Sequence, residues 1–231
     1  MTWTLYEGDC LAVLRGMKAN PVDLVLTDPP YGSGGRDGSV HLVSRNIQGN
    51  RMSTDAFIWQ TRQYAQMLNE VTKDNSHCYI FSDWRKHIDV KIAFETVGWE
   101  LRSLIVWDKG NGMGEYWRSA HEFVLFFTKV QPKKLTHGGC YNVLKFSPVR
   151  SANRLHPAEK PVELIEHLIT ASSNPSEYVL DCFAGSGTTG VAAENLGRNV
   201  IMIEKDPKYC QIIRQRMANR QTTIFEEGVT T

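Results

Sequence analysis

The chain lacks the features that mark a disulfide scaffold, a metal centre or a membrane anchor. Its five cysteines (Cys10, Cys78, Cys140, Cys182 and Cys210) are odd in number and form no C-x-x-C pair. That excludes a zinc ribbon and a disulfide framework, and predicts free thiols in a reducing compartment. His41, His77, His87, His121, His137, His156 and His167 show no metal-ligand spacing, so no metal is expected. No apolar run approaches the ~20 residues of a membrane span. The N-terminus, Met1 to Glu7, has no basic stretch followed by an apolar one, so a signal peptide is not expected and the cytoplasm is the expected location. Charge of one sign is also scarce. A net charge of +1 excludes a uniformly basic surface for nucleic acid. At 231 residues the chain can bury a core without staples, as one sizeable domain.

What is present is an alternation. Near-continuous apolar runs occur at Val22–Thr27, Cys78–Ser82, Leu101–Trp107, Glu122–Phe127, Tyr178–Asp181 and Asn199–Glu204. Such runs predict strands covered on both faces, as in parallel sheets. Helical spacing lies between them. Asp55 is placed to cap a helix carrying Ile58, Ala65, Leu68 and Val71, and a second helix spans about Arg85 to Val97 and stops at Gly98. Pro161 opens a third with Leu164, Ile165, Leu168 and Ile169. A fourth runs from Gly187 to near Gly197, and a fifth follows Asp206 and Pro207, in line with the usual start and stop residues. Strand-helix alternation of this kind predicts an α/β, Rossmann-like, doubly wound sheet. Gln221 to Thr231 is polar and reads as loose.

Two stretches are irregular, Gly32–Arg51 and Lys129–His156. Connections this long in a compact domain tend to be functional. Lys129, Lys133, Lys134, Lys145, Arg150, Arg154 and Lys160 face only Glu159 as an acid, a local surplus of six charges. On a nearly neutral protein this predicts a phosphate-contacting face.

Two motifs carry chemistry. Asp28-Pro29-Pro30-Tyr31 lies at the carboxyl end of the Val22–Thr27 run, the edge where open α/β sheets bind ligands. The exocyclic amine of a nucleobase is a poor nucleophile because its lone pair is delocalised into the ring. A carboxylate that accepts one amine hydrogen, with a backbone carbonyl accepting the other, lets the nitrogen pyramidalise. Consecutive prolines fix φ and donate no N–H, so they hold the Asp28 carboxylate and the Pro29 carbonyl in one direction. Tyr31 offers a ring on which a base can stack. The second motif is Leu180-Asp181-Cys182-Phe183-Ala184-Gly185-Ser186-Gly187-Thr188-Thr189-Gly190. Its glycines let the backbone approach a nucleotide closely, and Glu204 ends the next strand, where a carboxylate can bond ribose hydroxyls. By themselves these residues indicate an adenosine-containing cofactor and do not separate NAD from S-adenosylmethionine.

Together, Asp28–Tyr31 and Phe183–Thr189 resemble the DNA amino-methyltransferases. The order, catalytic motif first and cofactor motif last, resembles the β group of that family. Gly8-Asp9-Cys10, Trp107-Asp108-Lys109, Glu122–Phe126 and His156-Pro157-Ala158-Glu159-Lys160-Pro161 extend the resemblance over about residues 5 to 217. It implies a class I methyltransferase of permuted motif order, built on a seven-stranded mixed sheet with one antiparallel strand near an edge. It implies a single domain over 1–231, with a catalytic half to about 128, a short variable segment at about 129–155 and a cofactor half from 156 to about 220. It also implies S-adenosylmethionine as donor, double-stranded DNA as partner and homodimers as one assembly. Asp28, Pro29, Pro30 and Tyr31 then carry catalysis. Asp9, Cys10, Asp28, Lys160, Asp181, Phe183, Gly185, Gly187, Thr188 and Glu204 then hold the cofactor. Read as single residues, Lys160 suits either the cofactor's carboxylate or a solvated helix start, Phe183 either its methionine moiety or the core, and Asp181 either its amino group or a strand-end turn.

Asp in front of Pro-Pro-Tyr is similar to the adenine-N6 members more than to the cytosine-N4 members. The interval between the Glu122 strand and His156 is shorter than the family's usual target-recognition region, so Gly32–Arg51 is a second place for reading DNA. No cysteine follows a proline, which excludes the nucleophile of a cytosine-C5 enzyme. An NAD oxidoreductase would leave Asp28–Tyr31 without a purpose. A protein-glutamine enzyme would carry Asn at position 28, and RNA adenine stays open as a substrate. Trp84 and Trp107 are expected to be packing residues.

Overall fold

The computed structural model describes residues 2–18, 21–31, 53–113, 115–129 and 133–227. The irregular stretch at 32–51 and the last residues, 228–231, lie outside the described residues.

Among the described residues eight strands form one sheet. They are β1 (Trp3–Glu7), β2 (Val22–Thr27), β3 (Thr72–Ser82), β4 (Glu100–Met113), β5 (Ser119–Thr128), β6 (Val143–Lys145), β7 (Tyr178–Asp181) and β8 (Asn199–Glu204). Their spatial order is β1-β8-β7-β2-β3-β5-β4-β6. Every neighbouring pair is parallel except the two that involve β5. The expected count of seven is corrected by β6, a short edge strand beside β4 that arises inside the stretch expected to be irregular. Three residues with only the central Leu144 buried show too little periodicity to stand out in the sequence. β1 was also not anticipated; it is a five-residue edge strand with none of its residues fully buried, so it lacks the unbroken apolar run that marks the interior strands.

Among the described residues six α-helices cover the sheet: α1 (Cys10–Gly16), α2 (Thr54–Val71), α3 (His87–Glu95), α4 (Val162–Ser172), α5 (Thr188–Asn195) and α6 (Pro207–Glu227). Alternating residues of β2 divide between the two faces. Val25 packs with Leu14, Leu68 and Phe94 of α1, α2 and α3. Leu24 and Leu26 pack with Leu164, Ala192 and Ile213 of α4, α5 and α6. Because both faces are covered, all six residues of β2 are buried, which is why it reads as an unbroken apolar run. Each fully buried Leu or Phe contributes about 1.5–3 kcal/mol.

Helix boundaries differ from expectation at two ends. The cap of α2 is Ser53, whose side chain accepts from the Ala56 N–H; Asp55 sits inside the first turn, where a negative charge also suits the helix dipole. α6 continues to Glu227, so residues 221–227 are helical where a loose tail was expected. Polarity alone does not separate a solvated helix end from a loop.

The sheet has a switch point between β7 and β2. From β2 the chain crosses by α2 to β3 on one side, and from β7 by α5 to β8 on the other. Ligands of open α/β sheets bind outside the carboxyl ends of the strands at such a point. Among the described residues no helix is long and apolar enough to cross a membrane.

Candidate active site

β2 stops at Thr27 because Pro29 and Pro30 have no N–H to continue the ladder. Asp28 is therefore the first residue past the carboxyl end of a fully buried strand. Its carboxylate is held at both oxygens. The Tyr31 hydroxyl donates to Oδ1 at 2.6 Å, and the Lys160 ammonium donates to Oδ2 at 2.6 Å. Lys160 also meets Glu122 Oε2 at 3.1 Å, and Lys109 meets Glu122 Oε1 at 3.2 Å. Tyr31 makes a second, longer contact with Glu122 at 3.3 Å. Two carboxylates and two ammonium groups thus form one compact, balanced cluster over a floor of aromatic rings. The Lys160 Nζ lies 4.9 Å from the Phe81 ring centroid and 5.9 Å from that of Trp107.

The electrostatics follow from this packing. Burial works against ionised Glu122, yet the charges of Lys160 and Lys109 hold its carboxyl below the ordinary glutamate range. For Lys160, burial disfavours the charge but Asp28 and Glu122 outweigh it, so the ammonium is held well above its usual pKa. Burial and the two neighbouring carboxylates push the Tyr31 phenol far up; it is a donor at any physiological pH.

Lys160 was expected at a cofactor's carboxylate. The His156–Pro161 segment carries its buried side chain to the end of β2, where it meets the carboxylates of Asp28 and Glu122. A cavity of about 440 Å³ between residues 147–153 and the start of α4 shares Lys160 and Glu159 in its wall.

The neighbouring corner follows β7. Gly185 and Gly187 adopt left-handed φ values of +53° and +82°, which glycine reaches without strain. A Cβ on Gly190 would stand 2.6 Å from Met202 Sδ, so α5 rests directly on β8 at that point. The Gly185 N–H donates to Glu204 Oε2 at 2.8 Å, and Glu204 Oε1 accepts from the N–H groups of Lys205 and Asp206. Burial raises the Glu204 carboxyl above its usual pKa. The Gly8 N–H donates to the Glu204 carbonyl at 2.9 Å, which places Asp9 beside this corner as the N-cap of α1. Cys10 follows, buried, with its thiol pushed up to about 12 by burial and by Asp9. Phe183 packs edge-on against Tyr64 at 5.6 Å. Thr188 is buried at the first position of α5.

Asp181 lies beneath the corner. It accepts from Thr27 Oγ1 at 2.7 Å, Thr189 Oγ1 at 2.6 Å and the Phe183 N–H at 3.1 Å. Burial pushes its carboxyl up to about 6. Its place in the structure is a tie between β2 and β7, with both oxygens engaged by protein groups. Because β7 and β2 are neighbours, the Asp28 corner and the glycine corner follow the carboxyl ends of adjacent strands.

An acidic pair, Asp9 and Glu204, at strand ends beside left-handed glycines and an aromatic ring matches the donor set for an adenosine cofactor. The residues present therefore fit such a group.

The basic cluster separates in space. Lys129 is buried at the opposite, amino-terminal edge, where it binds the carbonyls of Asn69 and Thr72 and meets Asp74. Lys133 pairs with Glu177 ahead of β7. Lys134, Lys145, Arg150 and Arg154 remain exposed. Trp107 is buried and donates to the Phe146 carbonyl, as a packing residue should. Trp84, expected to pack, is 59% exposed. The sequence reading missed the joint role of Glu122 and Lys109; the available signal was an acid placed in an otherwise apolar strand, Glu122–Phe127. Among the described residues no group of three or more potential ligands could hold a metal.

The N6/N4 methyltransferase family model, described as DNA methylase, matches residues 22–215. The type II methyltransferase M2.DpnII of Streptococcus pneumoniae is 29% identical over 244 residues, covering 95% of this chain and 91% of that protein. The type II methyltransferase M.HpaI of Haemophilus parainfluenzae is 30% identical over 244 residues, covering 94% of this chain and 74% of that protein. Among solved structures, the crystal structure of an M1.HpyAVI–SAM complex superposes with a TM-score of 0.69 at 26% identity, covering 93% of this chain and all of that one. The catalytic corner, the glycine corner beside it and these relationships lead to one conclusion: the chain belongs to the N6/N4 DNA methylase family, and is an S-adenosylmethionine-dependent DNA methyltransferase.

Proposed function

We propose that the chain methylates the N6 amine of adenine at specific sites in double-stranded DNA. The observation that carries this reading is the carboxylate of Asp28, fixed on a double-proline corner beside the glycine corner and held by Tyr31 and Lys160. The choice of adenine over cytosine N4 rests on Asp, rather than Ser, before Pro-Pro-Tyr.

Asp9 and Glu204 would hold the ribose and adenosine side of the cofactor, Gly185, Gly187 and Thr188 would leave room for it, and Phe183 would meet its methionine arm. When bound, S-adenosylmethionine supplies a methyl group on a positively charged sulfur, ready for direct displacement. The target base leaves the duplex at a cost of roughly a few kcal/mol and stacks on the Tyr31 ring. Asp28 accepts one amine hydrogen and the Pro29 carbonyl accepts the other, so the nitrogen lone pair points at the glycine corner. As the nitrogen gains positive charge, the Asp28 carboxylate stabilises it and passes the released proton outward. Lys160 and Tyr31 hold that carboxylate in place at both oxygens, so positioning and fixed charge do the work. Lys145, Arg150 and Arg154 meet phosphates.

The test is methylation of bacterial genomic DNA followed by base-resolved sequencing and nucleoside analysis. N6-methyladenine is expected at a defined site; N4-methylcytosine as the sole product would refute the choice of base. Asp28→Ala should reduce transfer by at least about 10³-fold while S-adenosylmethionine binding, followed by calorimetry, persists. Near-normal transfer by that variant would remove Asp28 from the reaction.

A further inference from the structure

The hairpin of β4 and β5 extends far past the site it helps to form. Thr27 pairs with Ile80, Ile80 with Leu125, and Leu125 with Leu104, so the level of Asp28 crosses β4 near Ile105. β4 runs on to Met113. At about 3.3 Å per residue, the stretch from Ile105 to Met113 makes roughly 25 Å of strand beyond the carboxyl edge. Glycines shape this arm. Gly110 turns at φ +73°, and a Cβ on Gly112 would lie 2.6 Å from the Ser119 backbone, so only glycine lets the two strands meet there.

At its end Tyr116 is 94% exposed and Trp117 97% exposed. Arg118 beside them is exposed as well. Two large aromatic rings held almost wholly in water do nothing for the fold, since aromatic side chains stabilise a protein by burying their surface. The root of the arm is different. Lys109 binds Glu122, Glu122 meets Lys160, and Lys160 holds Asp28. The arm is anchored in the catalytic cluster and ends in stacking surfaces next to a cation.

We propose that Tyr116 and Trp117 stack against nucleobases of the bound duplex and hold the base stack open while the target lies in the pocket. A two-stranded ribbon fits the major groove, which is about 12 Å wide. Apolar side chains pushed between base steps unstack them, and base–aromatic stacking tolerates any sequence. Arg118 meets a phosphate at the point of entry. This assignment rests on the reading that the target base leaves the helix.

The experiment compares the parent with Tyr116→Ala/Trp117→Ala and with Tyr116→Phe/Trp117→Phe. Single-turnover transfer of labelled methyl groups to genomic DNA from a methylation-deficient bacterium is followed, with total incorporation counted whichever base receives it. Calorimetric binding of S-adenosylmethionine and the melting temperature report folding and should match the parent in all three proteins. Stacking on one base is worth on the order of tenfold to a hundredfold, so the double-alanine variant should lose at least about fiftyfold in rate at low DNA concentration. The phenylalanine variant should stay within a few fold, because it keeps both ring faces. Parental rates in the double-alanine variant overturn the assignment. So does a loss that sedimentation velocity traces to dissolution of a parental dimer, because the rings would then face a second copy of the chain. A parent inert on DNA would instead defeat the proposed function, a result separable from either of these.

Discussion

Lys160→Met keeps the apolar stem of the side chain and deletes the ammonium that stands 2.6 Å from Asp28 and 3.1 Å from Glu122. Unit charges about 4 Å apart interact by about 4 kcal/mol at an effective dielectric constant near 20, and removing one partner of a buried ion pair costs ~3–5 kcal/mol. The side chains of Asp28 and Glu122 keep 20% and 22% exposure, so the lower end applies, about 3 kcal/mol at pH 8. The pH dependence identifies the cause. Lys160 has its pKa raised, so its contribution is present throughout the neutral range and is lost only at strongly alkaline pH. Glu122 has its pKa depressed in the parent; its contribution is present above the ordinary glutamate value and is lost as pH falls through the depressed one. Without Lys160, burial opposes its charge with only Lys109 in compensation, and its pKa moves above the ordinary value. The folded variant then prefers the protonated acid. Its deficit is greatest at pH 8 and shrinks as pH falls through the raised value, by up to about 1.4 kcal/mol per pH unit. Urea unfolding of both proteins at several pH values between 5 and 8 measures the gap. Single-turnover methyl transfer should fall by at least about 100-fold, as expected when a catalytic group loses its alignment. A gap that stays constant with pH, or one below about 1 kcal/mol at pH 8, would refute the ionic account. Unchanged stability with weakened S-adenosylmethionine binding would return Lys160 to the cofactor's carboxylate.

Two further outcomes test the glycine corner. Gly190→Ala forces its new methyl group against Met202 Sδ and should cost about 1–3 kcal/mol, seen as a melting temperature lower by roughly 2–4 °C per kcal/mol; Gly139→Ala, with open space around it, should be neutral and serves as the control. Asp181→Asn removes an acid whose pKa is raised to about 6. The folded parent binds a proton there that the unfolded chain does not, so the parent alone loses stability as pH rises from about 4 to 6. The variant's relative stability should therefore climb by up to about 3 kcal/mol over that window and level off above it, as measured by urea unfolding; a flat difference would show that Asp181 is ionised throughout.

Most of the interior was legible in the sequence because burial on both faces leaves an unbroken apolar record. β2, β7 and β8 begin and end where their runs do. The edges were not legible. β1 has no fully buried residue and β6 buries only Leu144, so neither leaves the unbroken apolar run by which the interior strands were read. At the site, the two turns were found because proline and glycine impose backbone geometry that their identities reveal. The partners of Lys160 were not, since Asp28 and Glu122 are brought to it from distant positions by sheet register. The same reason undoes the basic stretch: neighbours in sequence such as Lys129 and Lys145 belong to opposite ends of the strands.

The adjacency of β2 and β7 has a consequence for how the two corners keep their places. Leu24 pairs with Val179 and Val25 with Leu180, so both corners extend from strands locked side by side by one hydrogen-bonded ladder. A solvent or temperature change that leaves these rungs intact leaves the two strand ends side by side.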